Sequence, residues 1–287
     1  MTISETTSPP IGLIAGNGRV PFLVARGVRG AGRGLAVAAF RDQASPRLRG
    51  LASAFDWVGI ARPGAWIRVL KAAGVRQAVM IGGVQKKAIY SPWRIFRYIP
   101  DWRAFRLWYV RVRKDRRDNA ILLAIADELA GEGIELISSV EYCKEHLASD
   151  GLMTRTAMPG GVAADVEFGW RIARASAELD IGQSLAVKER DIIAVEAIEG
   201  TDAMIRRAGE LCRAGGWTMI KVARPNQDMR FDVPTVGPET IRNLKAANAR
   251  CLVVEAGRTI IVDKSLTLAL ADKLGIAVVG KTADAAT

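Results

Sequence analysis

From the amino end, short apolar runs alternate with stretches in which apolar residues recur every three or four positions. This pattern predicts alternating strands and helices. IGLIA at 11–15 is an unbroken apolar run and predicts a buried strand; the glycine-rich turn behind it opens a helix running to about Gly30. GLAVAAF predicts a second strand, and residues 64–75 a helix ending at Gly74. QAVMIGGVQK at 77–86 predicts a third strand running into a Gly-Gly turn. Residues 118–133 have helical periodicity closed by Gly131 and Gly133, and IELIS follows as another strand.

Residues 143–161 are rich in Gly, Ser and polar side chains and are expected to be a linker. The alternation then starts afresh. VAADVEFGWRIARASAELD is a helix, and SLAVKERDIIAVEAIEG reads as two strands around a charged turn at 188–191, a hairpin. TDAMIRRAGELCRAGG is a helix with Thr201 or Asp202 as its cap. WTMIKVA is a strand, GPETIRNLKAANAR a helix started by Pro238, and CLVVEAGRTIIVD a strand pair; KSLTLALADKLGI and AVVG close the chain. No repeat of fixed period is visible. The expectation is an α/β protein of two α/β domains, 1–146 and 147–287, with the active site between them.

Charge sharpens this division. The net charge of +11 is carried by the first half: residues 1–146 hold 23 Lys and Arg against 12 Asp and Glu, whereas residues 147–287 hold 18 of each. A positive field favours an anionic partner such as a phosphorylated small molecule, an anionic lipid or a nucleic acid. The single histidine, His146, beside Glu145, reads as structural and excludes zinc sites built on paired histidines. Three scattered cysteines, Cys143, Cys212 and Cys251, form no metal spacing and no disulfide set, which fits a reducing cytoplasm. The polar start MTISETTSPP does not resemble a secretory signal, and no apolar run is long enough to span a bilayer. A cytoplasmic protein, peripheral to the inner membrane at most, is expected.

Four stretches carry candidate chemistry. KVARPNQDMRFDVPTVG at 221–237 sets Asp228 and Asp232 four residues apart among Lys221, Arg224 and Arg230, with Asn226 and Gln227 beside them and Pro225 and Pro234 bracketing the group. It is either a solvated loop or a carboxylate pair holding a divalent cation next to an anionic substrate. GNGRVP places Gly16, Asn17, Gly18 and Arg19 between a strand and a helix, where backbone amides bind phosphate or form a mere tight turn. A nicotinamide cofactor is disfavoured, because Pro21 stands where the dinucleotide fingerprint needs its third glycine. Gly82 and Gly83, with Lys86 behind them, repeat the same form. Finally, AVEAIEGTDAMIRR holds Glu196 among apolar neighbours, with Glu199 and Asp202 near a helix start that favours acids.

Residues 91–117 hold seven of the chain's eighteen aromatics. As a helix from about Asp101 they put Trp102, Phe105, Trp108, Tyr109 and Val112 on one face and Arg103, Arg106 and Arg113 toward the other. This segment is a core helix, a lipid-facing amphipathic surface or a platform for single-stranded nucleic acid.

GLIAGNGRVP, DIGQS, AVEAIEGTDAMIRR and KVARPNQDMRFDVPTVGPET, in this order, resemble the UDP-2,3-diacylglucosamine pyrophosphatases of the LpxI type, and the likeness runs from about Ile11 to Gly280. The resemblance implies hydrolysis of UDP-2,3-diacylglucosamine to UMP and 2,3-diacylglucosamine 1-phosphate (lipid X) in lipid A biosynthesis, with Mg²⁺ or Mn²⁺. On that footing Asp228, Lys221 and Arg230 are the catalytic candidates, and Asp228, Asp232, Glu196 and Glu199 the metal ligands. Gly16, Asn17, Gly18, Arg19, Gly82, Gly83, Lys86, Gln183, Thr201 and Gln227 would bind substrate. The partners expected are this substrate, lipid X and a transient membrane surface, with no nucleic acid. A non-enzymatic module binding anionic lipid or RNA through 91–117 is the competing reading.

Overall fold

The computed structural model describes residues 8–83, 100–107, 109, 118–225, 227–231 and 233–283. Lys86, Trp108, Val112, Arg113, Asn226 and Asp232 lie outside them. The chain divides into two compact units. The first comprises Met1–Cys143 with Met229–Asp232, the second Lys144–Asp228 with Val233–Thr287.

The first unit runs β1 (Ile11–Ala15), α1 (Val20–Gly30), β2 (Leu35–Phe40), β3 (Ala54–Val58), α2 (Pro63–Ala72), β4 (Gln77–Ile81), α3 (Trp102–Leu107), α4 (Asp118–Gly131) and β5 (Glu135–Leu136). The strands form one parallel sheet in the order β3-β2-β1-β4-β5. Every residue of β1 and β2 is buried, as expected of central strands covered on both faces. On one face Ile14, Ala38 and Met80 pack against Trp66 and Leu70 of α2 and Leu129 of α4. The pattern reading passed over β3. Asp56 interrupts its apolar residues, and this is tolerable because β3 is an edge strand.

The second unit runs β6 (Gly151–Leu152), α5 (Val162–Glu178), β7 (Ser184–Lys188), β8 (Asp191–Val195), α6 (Thr201–Leu211), β9 (Thr218–Lys221), β10 (Thr235–Val236), α7 (Pro238–Ala246), β11 (Cys251–Glu255), β12 (Ile260–Ile261), α8 (Lys264–Leu274) and β13 (Ala277–Lys281). Its sheet has the order β6-β13-β11-β9-β7-β8. β9, β11 and β13 are parallel, and β6, β7 and β8 are antiparallel to their neighbours. α5 covers one face through Val166, Trp170 and Ala173; residues of α6, α7 and α8 cover the other around Trp217, Met219 and Leu252.

Several expectations are corrected. Residues 143–161 are not a plain linker: Gly151 and Leu152 pair with β13, and Thr156 is held by Asp272. The two strands of CLVVEAGRTIIVD do not pair with each other; β12 pairs instead with β10, which the pattern did not reveal. The hairpin at 188–191 stands, turned by Glu189 and Arg190 in left-handed backbone (φ 54° and 63°), the geometry that suits a two-residue turn.

The core reading of the aromatic segment fails for its described residues. Trp102, Phe105 and Tyr109 are 74%, 51% and 61% exposed, and they stack in series with ring centroids 5.7 and 6.4 Å apart. α3 is held from its basic side. Arg103 contacts Glu128 and Glu132, each at 2.6 Å, and Arg106 contacts Glu128 at 2.9 Å. Asp101 accepts hydrogen bonds from the backbone of Gly64 and Ala104, at the starts of α2 and α3.

Burial alone would raise the Glu128 pKa, but hydrogen bonds and charge from Arg103 and Arg106 outweigh it, and the carboxyl lies below its ordinary 4.5. A depressed folded-state pKa contributes stability above the unfolded value and loses it as pH falls through the folded one. The parent should therefore lose more stability than Glu128→Gln as pH falls below that ordinary value. Parallel thermal melts check this, and identical pH profiles would remove Glu128 as the anchor of α3.

Candidate functional site

In the first unit the strand order reverses beside β1: the chain builds outward through β2 and β3, then returns to place β4 on the other side. Open α/β sheets bind ligands at the carboxyl ends of the strands at such a point. Both predicted glycine turns lie there. Asn17 and Gly83 exchange backbone hydrogen bonds of 2.8 and 3.0 Å, and Gly16 N–H donates to Ile81 at 2.9 Å. A Cβ on Gly16 would stand 2.6 Å from the Gly82 carbonyl oxygen. Gly82 has φ +108°, and a Cβ there would meet Gly16 at 2.7 Å. Both positions thus require glycine. The Asn17 carboxamide accepts from Gly18 N–H at 2.7 Å, and Arg19 is the N-cap of α1.

In the second unit three strands bring polar side chains to one edge of the sheet. Ser184 of β7 is in register with Lys221 of β9, and Glu196, just past β8, donates its N–H to the Ser184 carbonyl at 2.8 Å. Lys221 is 7% exposed. Its Nζ donates to Thr201 Oγ1 at 2.9 Å and Ser184 Oγ at 3.3 Å; the Thr201 hydroxyl donates onward to Glu196 Oε1 at 2.8 Å. Glu196 Oε2 is buried and has no hydrogen-bond partner among the described residues. Here a threonine relays between a buried cation and a carboxylate.

Three readings of this stretch change. Glu196 is not in a strand running to Ile198, because β8 stops at Val195 and Ile198 is wholly exposed. Neither Thr201 nor Asp202 caps α6. Gly200 is the N-cap, since the Thr201 hydroxyl is taken by Lys221 and Glu196 while Asp202 accepts from Asn243 at 3.0 Å. Glu199 engages both oxygens locally, accepting from Arg207 at 2.6 Å and from Ala197 N–H at 3.2 Å.

The segment after β9 is a shaped loop. Val222 N–H donates to the Gln183 carbonyl at 2.9 Å. Gln227 turns back so that its Oε1 accepts from Arg224 N–H at 2.8 Å, which gives this side chain a turn-closing task. Arg224 Nε lies 2.9 Å from Asp180, and Asp228 is half-buried. Arg230, in the part grouped with the first unit, offers its carbonyl to Ser139 Oγ at 2.7 Å and lays its guanidinium over the Phe231 ring. No group of three or more His, Cys, Asp or Glu side chains poised for a metal occurs among the described residues.

The sequence reading missed Ser184 and the group around Glu255, in which Arg174 and Arg258 meet a wholly buried carboxylate. A signal existed for Glu255: an acid ends the otherwise apolar strand CLVVE, and buried acids need partners. No disulfide joins the three cysteines, and burial pushes the Cys251 thiol up to about 12.

Comparison with known proteins agrees across both halves. The family model of the LpxI N-terminal domain matches residues 10–146, and that of the LpxI C-terminal domain matches residues 149–279. The chain belongs to the LpxI family. A relative from Caulobacter vibrioides, UDP-2,3-diacylglucosamine pyrophosphatase LpxI, is 33% identical over 278 residues, covering 94% of this chain and 96% of that protein. The glycine switch point falls within the LpxI N-terminal domain, and the Lys221 cluster within the LpxI C-terminal domain.

Thr201→Val removes the hydroxyl that joins a buried ammonium to a carboxylate while keeping the side chain's shape. A loss of about 1–3 kcal/mol is expected from the unpaired buried groups, read as a lower urea midpoint, with Thr201→Ser near the parent. An unchanged midpoint for Thr201→Val would mean that the hydroxyl bridges nothing of consequence.

Proposed function

We propose that the chain hydrolyses the pyrophosphate of UDP-2,3-diacylglucosamine, releasing UMP and 2,3-diacylglucosamine 1-phosphate (lipid X) in lipid A biosynthesis. The observation that carries this reading is membership of the LpxI family along both halves of the chain, including the residues of the Lys221 cluster. The chemistry follows from those residues. Water attacks one phosphorus, the bridging oxygen departs with its electron pair, and negative charge grows on the phosphoryl oxygens. Lys221, kept dry and aimed by Thr201 and Ser184, offers a fixed positive charge to those oxygens. Asp228 orients the attacking water and takes its proton, and Arg230 meets a phosphate oxygen.

Mg²⁺, with Mn²⁺ as its substitute, is the cation we assign to the reaction. A hard cation suits oxygen donors, and Mg²⁺ usually takes one or two carboxylates together with substrate phosphates. Asp228 and the buried, unpartnered Oε2 of Glu196 fit that demand; Glu199, held by Arg207, fits it less well. When bound, the cation would neutralise phosphate charge and acidify a water. Gly16, Asn17, Gly18, Gly82 and Gly83 supply the backbone surface for a phosphate-bearing part of the substrate.

The decisive assay incubates purified protein with labelled UDP-2,3-diacylglucosamine and follows UMP, with Mg²⁺ or with chelator. UMP release that needs the cation is expected. Asp228→Ala should melt like the parent and turn over roughly a hundredfold slower, about 3 kcal/mol of transition-state stabilisation. A stable variant with near-parental turnover would remove Asp228 from the mechanism.

No helix among the described residues is long and apolar enough to cross a membrane. We further assign the exposed face of Trp102, Phe105 and Tyr109 to transient contact with an anionic inner-membrane surface, supported by the positive charge of the first half. Trp102→Ala combined with Phe105→Ala should reduce co-sedimentation with phosphatidylglycerol vesicles and leave UMP affinity intact. Equal vesicle binding by the parent and the double variant would refute this assignment.

A further inference from the structure

Glu255 ends β11, a strand buried along its length, and its side chain has no exposed surface. Its Oε2 accepts from the backbone N–H of Ala223 at 2.8 Å. Arg174 Nη1, from α5, donates to both of its oxygens at 3.2 and 3.3 Å, and Arg258 Nη1 reaches Oε1 at 3.4 Å. The second nitrogen of Arg258 donates to the Arg224 carbonyl at 3.0 Å. One carboxylate and one guanidinium therefore grip two consecutive residues of the loop that leaves β9, one by its N–H and the next by its C=O. On the preceding residue, Val222 N–H is bound to Gln183.

This is a costly way to stabilise a fold. Removing the Glu255 carboxylate from water offsets much of its attraction to the two half-buried guanidinium groups, so such a cluster is weak evidence for stability and better evidence for enforced register. Lys221 is the last ladder residue of β9, and the turn closed by Gln227 separates Arg224 from Asp228.

We propose that Glu255 is a positioning residue for the reaction: with Arg174 and Arg258 it sets the path of the loop at 222–228 and thereby places Asp228. It touches no substrate, and it acts through the loop backbone. The inference rests on the reading of Asp228 as a reacting group, and its test separates the two.

The experiment compares the full chain with Glu255→Gln, Asp228→Ala and the double variant, measuring UMP release from UDP-2,3-diacylglucosamine with Mg²⁺, thermal melting, and hydrogen exchange across 222–228. Glutamine keeps the shape and an acceptor for Ala223 but loses the charge that holds two arginines. A misplacement of about 1 Å can cost about a hundredfold, so Glu255→Gln should lower kcat by roughly ten- to a hundredfold with KM little changed. Exchange should quicken at 222–228 alone, and Glu255→Gln should add no further loss once Asp228 is alanine. Parental kcat, a loss that multiplies undiminished in the Asp228→Ala background, or exchange that rises across the whole second unit would each overturn the proposal. If Glu255→Gln fails to fold, Arg258→Met decides: it should repeat the kcat effect in milder form, and parental kcat in a folded Arg258→Met would overturn the proposal. Parental turnover by Asp228→Ala would defeat the reading of Asp228 itself, and the exchange data would then still report whether Glu255 holds the loop.

Discussion

A lysine ammonium removed from water must be given partners, and the edge of the second sheet is arranged around that demand. Lys221 reaches its buried position because β9 is a central strand flanked by β7 and β11. Its partners come from register: Ser184 lies opposite it on β7, Glu196 follows β8 alongside Ser184, and α6 begins so that the first residue's hydroxyl falls between ammonium and carboxylate. Changing the register of either strand pair by one residue would send these side chains to the opposite face. Register, helix start and site are thus one constraint. That constraint explains why Thr201 serves the cluster and leaves the capping position to a glycine.

The same edge bears a second charged group on the sheet's opposite face. Lys221 bonds to α6, whereas Glu255 bonds to Arg174 of α5. The loop after β9 leaves between them, its first residues bound by Gln183 and Glu255. Both clusters occupy the carboxyl end of the parallel strands β9 and β11, where α/β sheets gather chemistry from separate loops. The first unit solves a different problem at its own strand ends. There the backbones of two turns approach so closely that side chains would collide, and the surface they offer is made of main-chain groups.

The periodicity of the chain was a sound guide wherever burial was uniform. Central strands such as β1 and β2 are solid apolar runs, and α1, α4 and α5 announce themselves by spacing. It failed at edges. β3 carries an exposed aspartate, β10 is two residues long, and β6 sits in a polar stretch that resembles a linker. Short or half-exposed strands owe their form to the neighbour that pairs with them, so local pattern has little to show.

The residue types alone determined the α/β class, the two halves of unlike charge, the glycines beside β1 and β4, and the cluster of acids and cations at 221–237 that carries the family's signature. A local run of sequence expresses each of these, because burial period, backbone freedom and charge belong to the residues themselves. Tertiary structure decided which polar groups meet. It joined Lys221 to Thr201 and Glu196, removed Glu199 into a pair with Arg207, turned Gln227 back on its own loop, and brought Arg174, Ala223 and Arg258 to Glu255. It also left Trp102 and Phe105 facing solvent where amphipathic spacing fitted core and surface equally. Pairing and exposure are properties of distance in space, and those distances arise only when strands far apart in the chain lie side by side.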